Sequence, residues 1–212
     1  MDARKLPIYI LIDTSGSMRG TPIEAVKAGL KALLDSLRKD AHAIGNAHLS
    51  IISFDRSAKV LMPMTPVASA WLPEIPELES SPTNLGEALE LMCSRYSVEV
   101  RRHGADGEGD RLPVALVMTD GAPSDTLLFS GMCRAVKGYP FARIIGCAAG
   151  PKAKQEPLRR FCTDVVTLEA MDSGSFSKFW EWASLAFAGQ GRGGDIVTEG
   201  LPPPPPEIKL IF

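Results

Sequence analysis

Ile8-Tyr-Ile-Leu-Ile-Asp-Thr-Ser-Gly-Ser-Met18 is an apolar run that ends abruptly in small side chains bearing oxygen. Asp13, Ser15 and Ser17 occupy alternate positions, so a turn of the chain can point all three oxygens into one cavity. Gly16 lies between the serines, and its lack of a side chain lets the backbone approach closely. The run therefore predicts a buried strand followed by a loop that binds a divalent cation.

Two further turns with oxygen-bearing side chains follow along the chain. Ser81-Pro-Thr-Asn-Leu-Gly-Glu-Ala88 has the composition of a helix start and adds Thr83 to the candidate ligands. Val114-Ala-Leu-Val-Met-Thr-Asp-Gly121 is a second apolar strand, and it ends in an acid, Asp120. Three separate turns therefore contribute to the predicted metal site.

Apolar strand-like runs alternate with helical stretches along the chain, which is typical of a parallel sheet covered on both faces. The predicted parallel strands are 6–12, 48–54, 114–119, 142–148 and 165–168. A further short run, 57–64, follows the second strand through the turn at Asp55-Arg56, which favours a hairpin. We therefore expect an α/β fold: a doubly wound, mostly parallel central sheet with one antiparallel edge strand and helices on both faces.

The order and spacing of these residues resemble the metal-ion-dependent adhesion site of von Willebrand factor A domains. That family has DxSxS after its first strand, a threonine at the start of a mid-chain helix and an aspartate closing the next core strand. The resemblance covers 1–188, which we assign to the domain. It implies a Rossmann-like fold whose ligand crevice lies between the first strand and the 114–119 strand. More narrowly, residues 83–89 and 119–125 resemble the bacterial TerY-type proteins of tellurium-resistance gene clusters.

The family pattern, carried over by position, implies a role for each candidate residue. Ser15 and Ser17 are expected to bind the metal directly, and Thr83 directly or through a water. Asp13 and Asp120 are expected to act mainly through waters or to hold the hydroxyls. Two carboxylates among neutral hydroxyls suit Mg²⁺, with Mn²⁺ or Ca²⁺ as alternatives, and leave the ion able to accept an Asp or Glu from a protein partner.

The resemblance implies a metal-dependent protein-binding module with an adaptor or regulatory role. TerY-type proteins are associated with a Ser/Thr kinase and a PP2C-type phosphatase in a phosphorylation-linked stress system, so these two enzymes are expected partners. Two alternatives remain open. One is a Mg²⁺-dependent phosphohydrolase, and the other is a scaffold whose metal site is purely structural.

The residue patterns do not support catalysis. In a Mg²⁺-dependent phosphoryl-transfer site the strand-end aspartate attacks phosphate and a second acid two residues later transfers protons, but Ser15 occupies that position here. The sequence contains no GxxxxGK[ST] loop and no GxSxG elbow. His42, His48 and His103 lack the spacing of metal ligands. We therefore expect a protein that is not an enzyme.

The composition argues against several kinds of partner and compartment. A net charge of -2 and a pI near 6.0 give no basic footprint for nucleic acid or for an anionic membrane. The N-terminal apolar run is broken at Asp13, too early for a signal peptide or a membrane span, so we expect a cytoplasmic protein. Four widely spaced cysteines without a CxxC pair are expected to be buried, reduced and structural.

Two segments differ in composition from the rest. Residues 101–111 are rich in glycine and charge, and we expect this loop to be exposed. Residues 189–212 begin as a glycine-rich hinge, continue through five prolines at 202–206 in an extended conformation, and end in Glu-Ile-Lys-Leu-Ile-Phe. The alternating apolar residues of this end can add as a strand to a sheet edge, in its own domain or in a partner. The alternative is a disordered terminus.

Overall fold

One central sheet runs through the described part of the protein, which in this computed structural model comprises residues 4–77, 81–102, 109–189 and 202–211. Along the chain its strands are β1 (Leu6–Asp13), β2 (Ala47–Phe54), β3 (Ala58–Pro66), β4 (Val114–Thr119), β5 (Arg143–Ala149), β6 (Asp164–Leu168) and β7 (Ile208–Ile211). Their order across the sheet is β3-β2-β1-β4-β5-β6-β7. All eight residues of β1 are buried, as expected for a strand at the centre of a sheet covered on both faces.

Helices cover both faces of this sheet. They are α1 (Thr21–Lys39), α2 (Ala41–Asn46), α3 (Leu85–Glu99), α4 (Thr126–Ala135), α5 (Glu156–Arg159) and α6 (Ser173–Gly189). On one face α1 and α6 bury Leu33 and Trp180 in a core that includes Ile10. On the other, α3 and α4 bury Leu89 and Phe129 in a second core. Because successive residues of a strand point to opposite faces, β1 contributes to both cores.

The order of the strands reverses between β1 and β4. β1 pairs in parallel with β2 on one side and with β4 on the other. The connections after β1 and β4 therefore diverge, and a crevice forms at the carboxyl ends of these two strands. Asp13 is the last residue of β1, and Asp120 directly follows β4. The predicted position of the switch point is confirmed.

The predicted fold class is confirmed, with one addition at the edge of the sheet. β3 pairs antiparallel with β2 and forms one edge, as the turn at Asp55-Arg56 predicts. The other edge is also antiparallel, because β7 pairs with β6. The sheet therefore has two antiparallel edge strands where the sequence predicts one, since the C-terminal segment returns to its own domain.

Three kinds of contact hold this C-terminal segment. β7 pairs with β6 in a register that places Ile208 opposite Leu168, and Ile208 is buried. The indole Nε1 of Trp182 donates to the carbonyl oxygen of Pro202 at 2.8 Å, and Lys178 forms an ion pair with Glu207. Docking on its own domain is thus the arrangement found. The predicted glycine-rich hinge, 189–194, lies outside the described residues from 190 onward, as do residues 195–201.

The loop expected to be exposed is anchored at one end by a buried acid. Asp110 is 3% exposed, and its carboxylate lies 3.3 Å from the ammonium group of Lys5. It also accepts a hydrogen bond from the backbone N–H of Arg101 at 2.8 Å. The prediction of exposure is therefore wrong for Asp110, because these partners compensate its charge. The middle of the loop, 103–108, lies outside the described residues.

The cysteines are all free thiols, as predicted. Cys93, Cys133 and Cys147 are buried, and Cys162 is half-buried. None of the helices in the described ranges combines the length and apolarity needed to cross a lipid bilayer.

Candidate metal centre

Asp13 forms the floor of the crevice. Its side chain is fully buried, and its Oδ1 accepts a hydrogen bond from the backbone N–H of Ser15 at 2.8 Å. Its Oδ2 accepts one from the Thr119 hydroxyl at 2.6 Å. Burial raises the pKa of Asp13 from 3.8 to about 6, although the hydrogen bonds from Ser15 and Thr119 lower it. Asp13 is therefore a buried carboxyl group at the end of β1, oriented by two hydrogen bonds.

A chain of hydroxyl groups leads from this floor to the surface. The Ser15 and Ser17 hydroxyl oxygens lie 3.2 Å apart, and the Ser17 hydroxyl donates to Oδ1 of Asp120 at 2.8 Å. Ser15 is buried, Asp120 is half-buried and Ser17 is exposed. Burial raises the pKa of Asp120, while the Ser17 hydroxyl lowers it. The structure thus brings together four of the five predicted residues at a site that opens to solvent.

Thr83, the fifth predicted residue, reaches the same place from another loop. A Cβ added to Gly121, the neighbour of Asp120, would lie 3.2 Å from the Thr83 Oγ1. Thr83 is 7% exposed, and among the described residues its hydroxyl has no hydrogen-bond partner. The residue that directly precedes α3 is Asn84, so Thr83 does not occupy the capping position of that helix. The hydroxyl is therefore available as a ligand.

Neighbouring turns fix the segment that carries Thr83. The backbone N–H of Asn84 donates to the carbonyl of Asp55 at 2.8 Å, at the end of β2. The Ser81 hydroxyl accepts from the N–H of Arg56 at 3.0 Å, and the Ser81 carbonyl accepts from the N–H of Gly16 at 3.4 Å. The turns after β1 and β2 and the start of α3 therefore meet at one end of the sheet.

Sequence reasoning missed several residues that support the site. Thr119 and Asp55 are buried, and Asp55 accepts a hydrogen bond from the Thr14 hydroxyl at 3.1 Å. Ser124 and Asp125 contact the Thr83 segment directly. Asp55 directly follows β2, as an acid after an apolar run, and this signal could have identified it. Asp125 offers no such signal, because an aspartate before a helix normally caps that helix.

The donor set fits a hard divalent cation. Every candidate ligand offers oxygen, and two buried or half-buried carboxylates supply the negative charge. In the described part of the chain, no three His, Cys, Asp or Glu side chains converge as metal ligands. Asp13 and Asp120, with the hydroxyls of Ser15, Ser17 and Thr83, are the oxygen donors that would hold such an ion.

Residues 8–122 match the family model described as the von Willebrand factor type A domain. The chain belongs to the von Willebrand factor type A (VWA) family. The matched range contains every residue of the candidate metal centre, from Asp13 to Asp120. The family prediction from the sequence is confirmed.

One curated relative matches part of the chain. An uncharacterized protein of Synechocystis sp. is 32% identical over 123 residues, which cover 56% of this chain and 26% of that protein. The chain thus spans about a quarter of the length of this curated relative.

Solved structures give the same fold at low identity. A von Willebrand factor type A protein from Catenulispora acidiphila has a TM-score of 0.62 at 18% identity, covering 86% of this chain and 42% of its own. Proximal thread matrix protein 1 of the mussel byssus, solved with a zinc-occupied MIDAS motif, has a TM-score of 0.60 at 14% identity. That likeness covers 87% of this chain and 48% of the mussel protein.

Proposed function

We propose that this VWA domain is a metal-dependent protein-binding module. The domain holds a Mg²⁺-type ion, and an Asp or Glu carboxylate of a protein partner completes the coordination shell of that ion. The ligands from this chain are Asp13, Ser15, Ser17, Thr83 and Asp120. Mn²⁺ and Ca²⁺ fit the same oxygen donors, and Mg²⁺ is the cation we expect in the cell.

One observation carries this proposal: the path of oxygens from buried Asp13 to exposed Ser17. Two carboxylates give a charge that balances one divalent cation, and the remaining donors are neutral hydroxyls. Such a set leaves the bound ion electrophilic, and the exposure of Ser17 gives a partner access to it. A closed structural site would bury all of its ligands.

The proposal extends to the setting in which the domain acts. The narrower resemblance of residues 83–89 and 119–125 supports a TerY-type role, with a Ser/Thr kinase and a PP2C-type phosphatase as partners in a cytoplasmic stress or tellurium-resistance system. We propose an adaptor role without catalysis, because Ser15 stands where a phosphohydrolase needs its second acid.

The test combines metal titration with partner capture. The protein should bind Mn²⁺ at one site by calorimetry, and it should capture a partner from bacterial lysate in Mg²⁺ but not in EDTA. Ser17→Ala should weaken both. Ser97→Ala is the matched control, because the Ser97 hydroxyl donates to the carbonyl of Cys93 within α3, away from the crevice. Partner capture that persists in EDTA would refute a metal-mediated contact, and absence of Mn²⁺ binding would refute the site.

A further inference from the structure

The first turn of α3 is capped by a residue of the loop that follows β4. Asn84 precedes α3, and its side chain makes no capping bond. Instead, the two carboxylate oxygens of Asp125 accept hydrogen bonds from the backbone N–H groups of Gly86 at 3.1 Å and Glu87 at 2.8 Å. Asp125 directly precedes α4, yet its side chain makes no capping bond to that helix. Its carboxylate therefore joins α3 to the loop that follows β4.

Ser124 adds two bonds to the same junction. Its hydroxyl accepts from the backbone N–H of Thr83 at 3.0 Å, and its own N–H donates to the Thr83 carbonyl at 2.8 Å. We call these four hydrogen bonds, between residues 83–87 and 124–125, the loop clasp. Both backbone polar groups of Thr83 are thus held by the loop that carries Asp120.

The starts of α3 and α4 pack so closely that no side chain fits between them. A Cβ on Gly86 would lie 2.4 Å from the backbone nitrogen of Phe129 and 2.7 Å from Oδ2 of Asp125. Glycine is therefore required at this position, and the loop clasp sits in a tightly packed junction. The junction leaves Thr83 little freedom to move relative to Asp120.

We infer that Asp125 is a positioning residue for the metal centre, which holds Thr83 at the crevice through the first turn of α3. This inference rests on the proposed function, since Thr83 acts as a ligand only there. The bonds from Asp125 are charge-assisted, and they lie at a helix N-terminus where a negative charge is favourable. Groups that orient metal ligands in this way raise affinity because the ligands are ordered before the metal binds.

The first test compares two aspartates whose carboxylates each accept hydrogen bonds from two backbone N–H groups at a helix start. Asp125→Asn should weaken Mn²⁺ binding about tenfold or more in a calorimetric titration. Asp40→Asn is the matched control, because Asp40 accepts from the N–H groups of His42 at 2.8 Å and Ala43 at 2.9 Å. That cap lies before β2, at the end of the sheet opposite the crevice. The Mn²⁺ affinity of Asp40→Asn should equal that of the wild type.

The second test asks whether Asp125 acts through Thr83. In a Thr83→Ala background, Asp125→Asn should cause no further loss of Mn²⁺ affinity, because the ligand that it positions is gone. Without metal, the amide hydrogens of Gly86 and Glu87 should exchange faster in Asp125→Asn than in the wild type. Should Asp125→Asn fail to fold, Ser124→Ala removes one bond of the loop clasp and should show a smaller loss in the same direction.

The outcomes separate this inference from the proposed function. Wild-type protein without Mn²⁺ binding refutes both. Wild-type binding together with an unchanged affinity in Asp125→Asn and Ser124→Ala refutes only the positioning role. An equal loss from Asp125→Asn in both backgrounds also refutes it, since the effect would then bypass Thr83.

Discussion

The hydroxyl of Ser17 donates a 2.8 Å hydrogen bond to Oδ1 of Asp120, a residue 103 positions further along the chain. The bond joins the loop after β1 to the loop after β4, which are neighbours only because those strands pair in parallel. Both side chains are predicted from the sequence as parts of one metal centre. Their contact directly links the two loops of that centre.

Asp13→Asn should remove metal binding while leaving the metal-free fold intact. The buried Asp13 has a pKa raised to about 6, so its ionised form is unfavourable without a cation. An amide of the same shape removes that charge, and the metal-free Tm at pH 7.5 should equal or exceed that of the wild type. At a Mn²⁺ concentration 100 times its Kd, the wild type should gain about 2.7 kcal/mol of stability. Thermal unfolding with and without Mn²⁺ measures both effects, and a variant that keeps the metal-dependent rise in Tm contradicts the assignment of Asp13.

Thr83→Ala should lower Mn²⁺ affinity with little effect on stability. The Thr83 hydroxyl has no hydrogen-bond partner among the described residues, so the change mainly removes a buried methyl group and should cost about 1 kcal/mol or less. Thr83→Ser keeps the hydroxyl and is the control, whose Mn²⁺ affinity should remain near that of the wild type. Calorimetry measures the Mn²⁺ affinity of each variant, and urea unfolding measures its free energy of unfolding. A large stability loss with unchanged affinity would make Thr83 a structural residue.

Gly86→Ala should destabilise the protein by about 1–3 kcal/mol, because its Cβ would collide with the backbone of α4. Gly131→Ala, within α4, is the control. A Cβ there meets nothing within 4 Å, and alanine favours a helix, so this change should be neutral or stabilising by up to about 1 kcal/mol. Urea unfolding of both variants gives the comparison. If Gly86→Ala is as stable as Gly131→Ala, the close approach of the two helices is not as described.

Removal of residues 202–212 should lower the Tm without altering Mn²⁺ affinity. The deletion removes β7, which pairs with β6, and exposes to solvent the part of the core in which Ile208 lies. Ile208 is 3% exposed in the intact protein. Ile208→Ala alone should cost about 2–4 kcal/mol, whereas Lys209→Ala, at an exposed position of the same strand, should cost less than about 0.5 kcal/mol. Differential scanning calorimetry measures these differences. A truncated protein with an unchanged Tm would show that β7 contributes nothing to stability.

Much of the fold follows from the hydrophobic pattern. The predicted strand 114–119 coincides with β4, three others differ from the observed strands by one residue at one end, and 142–148 is shifted by one residue from β5. The agreement is close because buried parallel strands need continuous apolar runs, and polar loops interrupt these runs clearly. The predicted site residues were also identifiable, because an oxygen donor directly after such a run stands out.

The residues that support the fold and the metal centre through distant contacts were harder to predict from the sequence. Asp110 lies in a polar loop and is nevertheless buried, because Lys5 and Arg101 lie beside it. Asp125 precedes α4 but binds the first turn of α3. In both cases a local rule gives the wrong environment, since the partner comes from a distant part of the chain.

The sequence by itself determined the order of the strands along the chain, the strand-end location of Asp13 and Asp120, and the oxygen chemistry of their neighbours. These features are encoded within short windows, as periodicity and as side-chain type. Only the tertiary structure decided that Asp125 would form hydrogen bonds to the start of α3, next to Thr83, and that β7 would pair with β6 at the edge of the sheet. Both depend on which loops and edges the packed sheet brings together, and that choice is made by the burial of two cores across the whole chain.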